Sequence, residues 1–168
     1  SEYRPPGWLG GVGWRRNMSN GGTLMSGIAF WAFQISGWLL VIYLIVAQCV
    51  SAVSYSKGVQ MGTQEPAEKI TEVGVAMFWA FAFADLVFYT PLLALGLAGQ
   101  LFGAAWAPVI LAAALGVTIY WPVVCLATVR RARNAPGWSL PKEWQYWLVL
   151  PAISLWGLWG LYALLTAN

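Results

Sequence analysis

Asp85 is the one acid in a continuous apolar stretch, residues 73–99, and it stands near the middle of that stretch. A charged side chain at the centre of a bilayer costs roughly 2.5–3.5 kcal/mol on insertion scales, so such residues turn toward a bundle interior, a water-filled cavity or a partner. A carboxyl placed there can carry a proton, hold a cation, or hydrogen-bond a neighbouring helix. Tyr89 follows one turn later. Phe78, Phe81, Asp85, Tyr89, Leu92 and Gly96 recur at spacings of three and four, which puts them on one helical face. Gln34, Thr90, Thr118 and Tyr120 are polar side chains within apolar segments that could join Asp85, and Gln34, Ser36 and Gln48 are the polar interruptions of the first span. The candidate proton or substrate site is therefore Asp85 and Tyr89, with Gln34, Thr118 and Tyr120 brought in by neighbouring helices. A structural carboxyl bonded to another helix or to a partner subunit accounts for the same residues, because polar pairs between membrane helices are common.

A second group of acids, Glu65, Glu68 and Glu72, precedes this stretch along one helical face, and it could attract a cation or a basic partner. Acids in a first helical turn also complement the helix dipole, and Lys69 stands four residues after Glu65 for a surface pair. The sequence contains no histidine, which removes bis-histidine haem ligation and His-based zinc sites. Its two cysteines, Cys49 and Cys125, form no CxxC pair, and no phosphate-binding, dinucleotide or metalloprotease motif occurs. No metal site and no cofactor are expected. The twelve tryptophans serve an interfacial aromatic belt at positions such as Trp138, Trp144 and Trp147. Those within spans, such as Trp31, Trp121 and Trp156, would pack, face lipid, or line a pocket for a lipid-like or other hydrophobic or cationic ligand.

The elements that must position these residues follow from composition. The chain has 168 residues, 60% of them apolar and 9% charged, against about 25% charge in soluble domains. An all-α integral membrane protein is expected, a bundle of four transmembrane helices. The spans fall at about 24–53, 73–99, 104–129 and 146–166. Residues 1–23, rich in Gly, Pro and Trp, read as an interfacial N-terminal segment, and residues 24–168 as one transmembrane domain. Pro91 leaves the Val87 carbonyl without its donor and Pro122 lies deep in the third span, so kinks are expected in helices two and three. Glu65-Pro66-x-Glu68 resembles a helix start, and the uncharged turn 99–103 implies an antiparallel hairpin of spans two and three.

Loops one and three carry Lys57, Lys69, Arg130, Arg131, Arg133 and Lys142, whereas Arg4, Arg15 and Arg16 lie on the opposite side. The bias of Lys and Arg toward the cytoplasm predicts that loops one and three face it. The lipid bilayer is the expected environment, and a homo-oligomer or a larger membrane complex the expected assembly. The net charge of +3 resides at span edges and argues against nucleic-acid binding. Three functions fit the sequence. The first is a small transporter or channel-like protein using Asp85 for proton or cation coupling, and the second is a non-catalytic subunit of a membrane complex. The third is a membrane-embedded enzyme on a lipid-like substrate, the weakest of the three because no second ionisable group stands near Asp85 within a span.

Overall fold

The computed structural model describes residues 27–166, and the N-terminal segment expected at the interface lies outside the described residues. Six α-helices follow in order: α1 (Gly27–Val53), α2 (Tyr55–Gln60), α3 (Ala67–Ala84), α4 (Thr90–Leu101), α5 (Ala107–Ala132) and α6 (Glu143–Thr166), with no strand among the described residues. A π-helical turn, Asp85–Tyr89, joins α3 to α4. Taking that joined helix as one, four helices are long and apolar enough to cross a membrane. The helices outrun the apolar stretches at several ends because residues such as Glu68, Arg130 and Arg131 are good helix formers whose charged heads reach water. The polar stretch 54–70 contains a short helix, α2, that periodicity in so short a segment does not reveal.

Helix α3 opens immediately after Pro66, where its fixed backbone dihedral suits a helix start. Thr71 then departs from helical geometry at φ 67° and ψ 167°, and its Oγ1 accepts a long 3.5 Å hydrogen bond from the Gly74 N–H. The expected disturbance from Pro91 takes the form of the π turn. With no N–H at position 91, the preceding turn widens, and the Thr90 N–H donates to the Asp85 carbonyl, five residues back. Helices α5 and α6 continue through Pro122 and Pro151.

Helix α1 runs antiparallel to the α3–α4 helix, as four hydrogen bonds show. Gln34 meets Leu97 and Gln100, Gln48 meets Asp85, and the Trp79 indole donates to the Ala52 carbonyl. Helices α4 and α5 form the expected hairpin, pressed together where Gly96 lets the Leu111 backbone approach. A Cβ at Gly96 would lie 2.9 Å from the Leu111 Cα. Helix α6 packs on α5 and closes the ring against α1, where Phe33 stacks on Trp156 at 4.7 Å and the Trp156 indole donates to the Ser36 hydroxyl at 2.7 Å. The core is a column of Phe33, Val41, Leu44, Leu93, Leu97 and Leu111 with smaller neighbours. Large apolar residues such as Leu39, Phe88, Val109 and Leu155 point outward on every span. That inverted pattern suits a lipid surround, in which packing and polar contacts hold helices together.

Candidate functional site

Asp85 is 94% buried by its 6% exposure, and its Oδ2 accepts a 2.9 Å hydrogen bond from the Gln48 side-chain amide. Among the described residues its Oδ1 accepts none, and the residue lines a cavity of about 220 Å³. Three levels of structure create this arrangement. The α1 register brings Gln48 opposite Asp85, and the π turn begins at the acid itself. The space exists because the close contacts between α1 and α6 run through Phe33, Ser36 and Trp156, while Tyr43 and Gln48 of α1 and Tyr146, Val149 and Leu150 of α6 line the opening at the other end.

The cavity reaches from Asp85 to loop one, where Gly62, Thr63, Gln64 and Glu65 contribute to its wall. Glu65 is held in place twice. Its carbonyl accepts the Tyr55 hydroxyl at 2.9 Å, and its Oε1 accepts the Tyr146 hydroxyl at 3.2 Å. Burial, with the Glu65 charge beside it, pushes the Tyr55 phenol up to about 12, so it remains a neutral donor through the physiological range. The rim is braced by the third loop. The Ser139 N–H donates to the Lys69 carbonyl at 2.6 Å, Trp138 stacks with Phe78 at a centroid distance of 6.5 Å, and Arg133 pairs with Glu143 at 3.3 Å.

One turn along the helix from Asp85, a short polar contact reaches α5. The Tyr89 and Thr118 hydroxyls are 2.7 Å apart, and the Thr118 hydroxyl also donates to the Ala114 carbonyl at 2.9 Å. Beyond them Leu93, Leu97, Leu111 and Leu115 are fully buried.

The residues singled out in the sequence thus separate. Asp85 lines the cavity, whereas Tyr89 and Thr118 pair with each other outside its lining. Gln34 lies at the other end of α1, about 21 Å from Gln48 by helical rise. There it donates to Leu97 and Gln100 and accepts the Trp38 indole. Tyr120 is 68% exposed on the outer side of α5. Glu65 joins Asp85 in the cavity, whereas Glu68 and Glu72 are exposed and do not line it. The cavity also contains Gln48, Phe78, Phe81, Trp121, Gln145 and Tyr146. Of these, Phe78 and Phe81 were legible as the face of Asp85, but Gln48 and Tyr146 depend on register between helices. Asp85 also stands toward one end of α1. It is level with Gln48, five residues before the end of α1, or about 8 Å by helical rise.

Four apolar spans, with a cavity of mixed polar and aromatic lining among them, define a small polytopic helical membrane protein. No family model matches this chain, and neither a curated protein nor a solved structure is significantly similar to it. Among the described residues, no group of three or more His, Cys, Asp or Glu side chains is placed to hold a metal ion.

Proposed function

We propose that this protein is a small transporter in which Asp85 couples the movement of a proton or cation to rearrangement of the helix that carries it. The carrying observation is that Asp85, a buried carboxyl, lines the cavity with one oxygen held by Gln48 and the other accepting no hydrogen bond among the described residues. An oxygen so placed is open to a proton, a water or a cation that enters the cavity. The neighbourhood supports the reading. The π turn runs from Asp85 to Tyr89, whose hydroxyl pairs with that of Thr118, and interrupted helices recur at transport sites. Passage beyond Asp85 requires those hydroxyls to part, which a shift of the π turn along the helix would accomplish.

Reconstitution of the full chain into liposomes with a pH-sensitive dye in the lumen tests the proposal. An imposed proton gradient should dissipate faster than in empty vesicles, and Asp85→Asn should return the rate to that of empty vesicles. Equal rates for the wild type and Asp85→Asn would remove the proposal. The meeting of Asp85 and Glu65 in one cavity also supports an acid/base enzyme on a lipid-like substrate, since such chemistry needs paired carboxyls in unlike settings. Mass spectrometry of the vesicle lipids after incubation separates the two, because a transporter leaves them unchanged.

A further inference from the structure

We infer that the cavity binds a small alkylated ammonium ion, with Asp85 as its counter-charge and aromatic rings as its walls. The inference rests on the reading of Asp85 as the group that meets the transported species. Three features of the lining carry it.

The first is charge. The lining contains two carboxylates, Asp85 and Glu65, and no Lys or Arg. Asp85 Oδ2 accepts from Gln48 and Glu65 Oε1 from Tyr146, so each carboxylate keeps one oxygen without a hydrogen bond among the described residues, and both add negative potential to the cavity. A cleft lined by one sign of charge between low-dielectric walls concentrates the opposite ion.

The second is the walls. Tyr43, Phe78, Phe81, Trp121 and Tyr146 supply five rings around the same space. A ring face attracts a cation, most strongly for Trp, and the attraction grows where water is excluded. Alkylated ammonium groups gain most from such walls because they offer apolar surface along with the charge. A strongly hydrated inorganic ion gains least from such walls, because a ring face does not replace the oxygen ligands of its water shell.

The third is size. A volume of about 220 Å³ corresponds to about seven waters at ~30 Å³ each. It exceeds what a bare ion needs and falls below the roughly 300–1,000 Å³ of pockets for drug-sized ligands. With no His, Cys, Asp or Glu cluster for a metal among the described residues, a compact organic monocation fits best.

Choline and its uncharged isostere, in which a quaternary carbon replaces the nitrogen, differ in charge at nearly constant shape. Calorimetric titration of the purified full chain in a sugar-based detergent, free of choline headgroups, should find choline bound more tightly than the isostere by about tenfold or more, the scale of a desolvated cation–π and ion-pair contact. Asp85→Asn should abolish that preference. Glu65→Gln, in a loop outside the spans, should weaken choline severalfold and leave the isostere unaffected. If Asp85→Asn does not elute as the wild-type species, the Glu65→Gln comparison decides. Equal affinity for choline and the isostere overturns the inference, as does full retention of the preference in a folded variant or failure of the wild type to bind choline. The vesicle assay separates this failure from that of transport. Proton flux that depends on Asp85 without choline binding leaves the transporter and removes its proposed ligand, whereas choline binding without flux does the reverse.

Discussion

Asp85 and Gln48 show how one side-chain contact can leave a carboxyl half engaged. The amide satisfies Oδ2 and orients the group, while Oδ1 accepts no hydrogen bond among the described residues and Asp85 lines the cavity. Gln48→Leu should keep the charge and lose the orientation, so Asp85-dependent flux should fall while the protein remains folded. Wild-type flux in that variant would show that the amide does not position the acid. One turn further on, the short Tyr89–Thr118 contact joins α4's entry to α5. Polar contacts between membrane helices average about 0.6 kcal/mol and reach about 1.7. Tyr89→Phe should therefore lower unfolding stability by that amount in micelles and increase leak in the vesicle assay, because passage beyond Asp85 requires that hydroxyl pair to part. An unchanged unfolding midpoint and unchanged leak would assign the barrier to the leucines alone.

At the scale of elements, glycine placement decides which helices can touch. Gly96 faces the Leu111 backbone, which cannot yield as a flexible side chain can. Gly96→Ala should cost about 1–3 kcal/mol, the range for overpacking. Gly116, in the interior of α5, has no neighbouring atom within 4 Å of an added Cβ. Gly116→Ala should be neutral or stabilising by about 0.4–1 kcal/mol through the unfolded chain's lost freedom. Denaturant titration of the pair in the same detergent tests the hairpin directly, and equal effects would contradict the packing. Thr71 presents the opposite case, a β-branched residue held at φ 67° and ψ 167°, a region almost exclusive to glycine. Thr71→Gly should raise the thermal midpoint, because relief of about 1–3 kcal/mol of strain outweighs the 3.5 Å contact that is lost.

For the whole molecule, the decisive property is that the cavity draws part of its lining from loop one, which sets it toward the side of loops one and three. The distribution of Lys and Arg predicts that this side is cytoplasmic. In a background with Cys49→Ala and Cys125→Ala, Ser56→Cys on the exposed side of α2 should react with a membrane-impermeant maleimide in inside-out vesicles and not in right-side-out ones. The reverse pattern would invert the orientation. Four spans, their helical class and the hairpin of spans two and three were legible in the chain. Apolar runs of about 20 residues with no charge admit only helices in a bilayer, where each backbone group must be bonded within its own segment. The importance of Asp85 was legible for the same reason, since an acid in such a run is a local and costly exception. The site around it was not. Gln34 and Gln48 are equally polar interruptions of one apolar helix, and only the antiparallel register of α1 against the α3–α4 helix sends the first to Gln100 and the second to Asp85. Glu65 reads from its spacing as a helix-start acid beside Glu68, yet the fold of loop one carries it to the cavity and leaves Glu68 in solvent. Sequence by itself determined the spans and the one buried acid, because both follow from the local free energy of placing residues in lipid. Tertiary structure alone decided what Asp85 meets, because register, loop path and the opening between α1 and α6 arise from contacts between residues far apart in the chain.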